Sequence, residues 1–196
     1  MSRWPRSATP SRRSPEDPAL TGGDGAPGRD VGEEPPSQDR AVTHEERVQA
    51  TANVAYRFLA KRDRTVAEVR TRLERDDPPA AVVDEVLGEM LELGYLDDAR
   101  YAARFVEDRR TLDGWGDERI DGRLRALGVG RSLIDAALAD AGGDQLDAAL
   151  TVLRRRWSEP PRDDRERARA LGVLARKGYP SDVAYAAVRA LGRGAR

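Results

Sequence analysis

The chain repeats itself three times. Ala55, Phe58, Leu59 and Arg62 return 47 residues later as Ala102, Phe105, Val106 and Arg109, and 47 later again as Ala149, Val152, Leu153 and Arg156. A second set, Val69, Leu73, Val83 and Leu87, returns after 51 residues as Ile120, Leu124, Ile134 and Leu138, then after a further 50 as Ala170, Leu174, Ala184 and Val188. Steps of three and four residues place each group on one face of a helix. Periods near fifty residues are those of stacked helical units, none of which buries its apolar face alone. The expected fold is therefore all-α, an elongated array of three tandem three-helix repeats, a shape suited to an extended partner.

Composition agrees with several small cores. The hydrophobic fraction is 39% and the aromatic fraction 5%, too little for one large globular interior. With no cysteine and a single histidine, His44, there is no disulfide frame or thiolate chemistry, and a histidine-based metal site is nearly excluded. No apolar run near the N-terminus has the length of a signal-peptide core, and no later stretch is long enough to span a bilayer, so a cytoplasmic protein is expected. Residues 1–43, rich in Pro, Gly, Ser and charge, are too poor in apolar groups to offset the entropy of ordering and are expected to form a disordered tail. That stretch reads as a tether or as the product of an upstream start codon.

End signals divide the remainder into repeats at 44–94, 95–142 and 143–196. In the first, a helix is expected from Glu45 to Arg62. Thr65 and Glu68 then form a capping box, Asp77 caps a third helix whose first turn holds Pro78 and Pro79, and Gly94 ends it. The second opens with Asp97 as N-cap and Leu96 packing on Tyr101. Asp97 and Asp98 are read as a cap with a favourable dipole interaction rather than as an acid–base or metal pair. Gly114-Trp115-Gly116 makes a turn before a helix from Asp117 to Leu127, closed by Gly128. In the third, Gly142-Gly143 precede a helix ending in Arg154-Arg155-Arg156-Trp157. Ser158–Arg162 is a loop, and Gly178 stops a helix from Asp164 to Lys177. The interval from the terminal arginine of the first helix to the equivalent leucine of the second grows from 11 residues (Arg62 to Leu73) to 15 (Arg109 to Leu124) to 18 (Arg156 to Leu174). Such length differences map to loops on one face, often the binding face.

Basic residues gather at equivalent places. Arg57, Lys61, Arg62 and Arg64 surround the end of the first helix in repeat one; Arg104, Arg109 and Arg110 do so in repeat two, and Arg154, Arg155 and Arg156 in repeat three. Stacked in one direction, these ends would form a stripe able to follow a phosphate backbone or the acidic groove of a protein filament. Arg119 and Arg123, one turn apart, either extend it or pair with Glu118 and Asp121. Trp115 and Trp157 stand beside the clusters, either as contact surfaces or as core anchors. Two other causes produce the same pattern: the helix dipole favours cations in a last turn, and 32 of the 34 basic residues are arginine, as coding bias would give. No phosphate loop, nucleophile elbow or acid–histidine constellation is present, so no enzymatic activity is expected.

The series Gly94-Tyr95-Leu96-Asp97-Asp98, Tyr101-Ala102, Phe105-Val106, Arg109, Gly114-Trp115-Gly116, Arg119-Ile120, Leu124 and Gly128 resembles the signature of the bacterial RecX family, as does the threefold repeat. The resemblance covers about residues 48–192. Two features depart from the family pattern: Asp117 stands where proline commonly follows the Gly-x-Gly turn, and Pro160-Pro161 sit in a long third loop. The resemblance implies a curved, all-helical, monomeric regulator that needs no cofactor and touches no membrane. Its implied partners are RecA and the RecA–DNA filament, with single-stranded DNA as a further implied contact, and its implied effect is to restrain ATP hydrolysis, filament growth and strand exchange. A helical-repeat protein that binds nucleic acid without RecA, or a protein scaffold driven by apolar grooves, fits the composition as well.

Overall fold

The computed structural model describes residues 41–193. The tail read from residues 1–43 lies outside them apart from 41–43, which lead into the first helix. The described residues contain helices α1 (His44–Leu59), α2 (Val66–Leu73), α3 (Ala80–Glu92), α4 (Asp98–Thr111), α5 (Asp117–Ala126), α6 (Arg131–Asp140), α7 (Gln145–Arg156), α8 (Asp164–Lys177) and α9 (Ser181–Arg193), with one 3-10 turn at Glu74–Asp76. No strand occurs among them. Within each trio the outer helices pack on one another, α1 on α3, α4 on α6 and α7 on α9.

Local chemistry sets most of the boundaries. Thr43 and Thr65 each close a capping box, with Glu46 and Glu68 respectively, and Asp97, Asp144 and Asp163 accept from amides of the first turn of α4, α7 and α8. Two boundaries differ from the sequence expectation. The first helix stops at Leu59, so Lys61, Arg62 and Arg64 lie on the turn after it rather than in its last turn. Asp77 does not cap α3. It closes the 3-10 turn through its amide to the Glu74 carbonyl at 3.2 Å and adopts a left-handed φ of 50°, leaving Pro79 as N-cap with no side-chain hydrogen bond.

The echoed residues are the core. Ala55, Val69, Leu73, Val83 and Leu87 are buried in one cluster, Ala102, Val106, Ile120, Leu124 and Ile134 in a second, and Ala149, Leu153, Ala170, Leu174 and Ala184 in a third. Leu96, expected against Tyr101, is buried in the first cluster. Truncating any of the equivalent Leu73, Leu124 or Leu174 to alanine would cost about 2 to 5 kcal/mol.

The second helices of the trios meet end to end. At the first joint the Thr65 hydroxyl, fully buried at the start of α2, donates to the Leu127 carbonyl at the end of α5 (2.7 Å), and a Cβ on Gly128 would come under 3.0 Å of Ala67. At the second, the start of α5 meets the end of α8. Gly116 N–H donates to Lys177 O at 2.8 Å, Glu118 N–H to Gly178 O at 3.2 Å, and Arg119 Nη1 to Arg176 O at 2.8 Å. Free amides of one helix thus face free carbonyls of the next, satisfying both and aligning their dipoles. The following trio also reaches back: Asp98 accepts from Val66 N–H at 3.0 Å, and Gln145 Nε2 donates to Asp117 at 2.8 Å. Asp117 therefore sits in the first turn of α5 as a favourable acid and ties repeats two and three.

Candidate partner-binding surface

Each repeat stacks an arginine on an aromatic ring near the end of its first helix. Arg64 lies 4.1 Å from the Phe58 ring centre, Arg109 lies 5.1 Å from Phe105 and 5.5 Å from Trp115, and Arg156 lies 5.7 Å from Trp157. Arg119 covers Trp115 as well, at 4.1 Å. Trp115 and Trp157 are each half-buried: Trp115 packs against the second core and meets Phe105 edge-on, with centroids 6.2 Å apart, while Trp157 packs against the third core. The rings anchor the core and hold guanidinium groups in place, an arrangement that lowers the entropy lost when those groups engage a ligand.

A groove of about 540 Å³ runs between the turn after α1 and the exposed side of α4. Arg62 and Asp63 line it from repeat one, and Tyr101, Arg104, Phe105 and Arg109 from repeat two. Its cations are matched by carboxylates. Arg104 pairs with Asp63 at 2.8 Å, Arg109 with Asp113 at 2.5 Å, and Arg62 with Glu68 at 2.7 Å. Glu68 also takes Arg64 at 3.2 Å; burial would raise its carboxyl, but the Thr65 amide and the two guanidinium groups outweigh this and hold it below the usual value. Glu107 and Asp108 add two further carboxylates to the wall. Mixed charge with two aromatic rings is the chemistry of a protein interface more than of a phosphate track.

The remaining basic positions are distributed unevenly. Arg110 turns inward, giving Asp117 two hydrogen bonds at 2.7 and 3.2 Å and the Gly142 carbonyl one at 2.6 Å. Arg57 donates to its own helix at Asn53 O, 3.0 Å away. Lys61, Arg123, Arg154 and Arg155 are exposed and form no ion pair with a described residue. The structure thus joins Arg62, Arg104 and Arg109 in one groove and Arg109 with Arg119 over Trp115. The Arg154–Arg156 run belongs to α7, which contributes no residue to the groove; Val152, one turn earlier, abuts the position a Cβ on Gly114 would take. Sequence reasoning read Glu68 only as a cap and missed Asp63 and Asp113; the four-residue spacing of Arg109 and Asp113 could have shown that pair, whereas Arg104 meets Asp63 across 41 residues with no local signal.

Comparisons place this arrangement among known proteins. Models of the first, second and third three-helix domains of RecX match residues 53–90, 97–138 and 143–188 in that order. The regulatory protein RecX of Deinococcus radiodurans is 36% identical over 159 residues, covering 81% of this chain and 76% of that one. Its counterpart from Halorhodospira halophila is 37% identical over 143 residues, covering 72% and 88%. The crystal structure of RecX from Lactobacillus salivarius superposes with a TM-score of 0.67 at 20% identity, over 75% of this chain and 97% of that one, and so shares its fold. Three domains in order, with over 30% identity across most of each relative, establish that the chain belongs to the RecX family of regulatory proteins.

Proposed function

We propose that this protein restrains the RecA recombinase by binding RecA and its filament on single-stranded DNA, limiting ATP hydrolysis, filament growth and strand exchange. Membership of the family supports a regulatory role, and the observation that carries the physical part is the groove in which Arg62, Arg104 and Arg109 meet Tyr101 and Phe105. A filament offers the same protein surface at regular intervals, and an array of similar trios offers similar groups in series. Exposed ion pairs such as Arg104–Asp63 contribute little to the fold, so their charges are available to a partner at small cost. Rings held under guanidinium groups supply the ordered aromatic contact on which protein interfaces depend.

The test is ATP hydrolysis by RecA on single-stranded DNA, followed while the full chain is titrated in. The expected result is progressive loss of hydrolysis, weakened in an Arg62→Ala/Arg104→Ala/Arg109→Ala variant of unchanged helical content. Hydrolysis unaffected across the titration rejects the reading. Equal affinity for bare and RecA-coated DNA assigns the chain to RecA-independent nucleic-acid binding instead.

A further inference from the structure

We propose that repeat one pivots about the first inter-repeat joint while repeats two and three move as one body, and that the Arg104–Asp63 ion pair is the latch that holds the pivot closed. The buried apolar residues form three separate clusters, one for each repeat, so neither joint is held by a shared hydrophobic core. Where an interface lacks a large apolar area, relative motion is the ordinary outcome, and the bonds that cross it decide how much.

The second joint is tied on main chain. Gly116 and Glu118 amides donate to the Lys177 and Gly178 carbonyls, and the side chains of Arg119, Lys177 and Tyr179 add bonds to the carbonyls of Arg176, Asp113 and Gly114. The backbones are so close that a Cβ on Gly178 would come under 3.0 Å of the Arg119 main chain. Arg110 and Gln145 also cross this joint, to the Gly142 carbonyl and to Asp117, and the space left between the two repeats there is a cavity of about 60 Å³. Rotation would break directional bonds for which no nearby group substitutes.

The first joint is built differently. Among the described residues no main-chain hydrogen bond joins α2 to α5, and Gly128 presses on the Ala67 side chain rather than on main chain. Its attachments are Leu96 in the first core, the Asp98 carboxylate on Val66 N–H at 3.0 Å, and the Thr65 hydroxyl on the Leu127 carbonyl at 2.7 Å. They fall at neighbouring positions, 65 and 66 on one side and 96 to 98 with 127 on the other, and so are confined to a narrow strip about which repeat one can turn without losing them. Open grooves of about 540 and 500 Å³ flank the strip, each with one wall on repeat one and the other on repeat two, so there is room for the turn.

Arg104 stands off that strip. It lies six residues beyond Asp98 on α4, about 9 Å farther along the helix, and pairs with Asp63 across the α1–α4 groove at 2.8 Å. Distance from the strip gives this pair leverage over the turn, while exposure of about two-thirds at both partners makes it weak enough to open. Opening it separates the wall of Arg62 and Asp63 from the wall of Tyr101 and Phe105. A carboxylate that captures Arg104 therefore releases repeat one. The assignment concerns the free chain and does not rest on the RecA reading.

The experiment measures distances between paired nitroxide labels by double electron–electron resonance on the full chain, which has no cysteine of its own. Ala81, Ala136 and Ala186 are exposed on α3, α6 and α9, one in each repeat. An Ala81→Cys/Ala136→Cys pair reports on the first joint and an Ala136→Cys/Ala186→Cys pair on the second, with helical content checked by circular dichroism. The first distance distribution is expected to be at least about twice as wide as the second, and Arg104→Ala and Asp63→Ala are each expected to widen the first and leave the second unchanged. Three outcomes overturn the proposal: equal widths, a second distribution wider than the first, or a first distribution that either variant leaves unchanged. Widths as stated with RecA hydrolysis untouched by the chain leave the pivot standing and remove the RecA reading. Restrained hydrolysis with equal widths does the reverse.

Discussion

Gly116 and Gly178 lie in direct backbone contact, so that a Cβ on Gly116 would come under 3.0 Å of the Gly178 carbonyl while Gly116 N–H donates to Lys177 O at 2.8 Å. The obstacle is main chain, which cannot swing aside as a flexible side chain would. Gly116→Ala should therefore lower the free energy of unfolding by about 2 to 3 kcal/mol, through overpacking and loss of the joint's hydrogen bonds. Urea unfolding followed by circular dichroism measures it. A loss below about 0.5 kcal/mol would show that the joint opens without strain.

Asp77 offers the opposite case. It is the repeat-one counterpart of Gly128 and Gly178, and all three have positive φ, 50°, 80° and 81°. Left-handed backbone is unfavourable for residues with a Cβ, least so for Asp and Asn. Asp77→Gly should raise stability by about 0.5 kcal/mol, the relief of strain exceeding the entropy glycine adds to the unfolded chain. Thermal unfolding should show a rise of about 1 to 2 °C. A fall would mean that the Asp77 side chain contributes more than its backbone strain removes.

The contrast between these positions shows what is legible in sequence. Ala102, Ile120 and Leu124 announce a core because burial acts on periodicity, and periodicity is visible. Thr65 and Glu68 announce a helix start because the cap is made within four residues. Asp77-Pro78-Pro79 also reads as a helix start, yet the Asp77 amide closes a 3-10 turn on the Glu74 carbonyl and Pro79 takes the N-cap position, so the same residue types serve two different ends. Charges are the least legible. Arg104 meets Asp63 across 41 residues, and Arg110 is consumed by Asp117 and Gly142, so membership of a basic cluster does not say whether a cation faces a partner or the next repeat.

The first joint carries a pH dependence. Asp98 is raised above its usual value chiefly by burial, with the charges of Asp97 and Glu68 adding to this and the Val66 amide opposing it. The folded state then holds the proton more tightly than the unfolded one, so stability falls as pH rises above the ordinary aspartate range, and the ionised group is a burden at neutral pH. Asp98→Asn keeps an oxygen for the Val66 amide and removes the charge; its stability at neutral pH should equal or exceed that of the parent. Glu68, held below its usual value, has the reverse sign: its contribution is present above the ordinary glutamate range and disappears as pH falls through the lowered value. Glu68→Gln should be less stable than the parent at neutral pH, with the difference vanishing in acid. Urea midpoints across the acid range measure both, and a marked loss in Asp98→Asn would refute the sign assigned to that group.

Two arginines six residues apart on α4 separate folding from recognition. Arg110 is mostly buried and bridges Asp117 to the Gly142 carbonyl, so Arg110→Ala removes a charge-assisted pair at the second joint, leaves Asp117 with Gln145 alone, and should cost about 1.5 to 3 kcal/mol. Arg104 is about two-thirds exposed, as is its partner Asp63, and Arg104→Ala should change stability by less than about 0.5 kcal/mol. Under the proposed function, its position in the groove gives it the larger part in binding. Arg104→Ala should therefore unfold at the parent's urea midpoint yet inhibit RecA hydrolysis less, whereas Arg110→Ala should unfold earlier and, where still folded, inhibit nearly as well. The reversed pattern would remove the groove between α1 and α4 from the partner surface and put the second joint in its place.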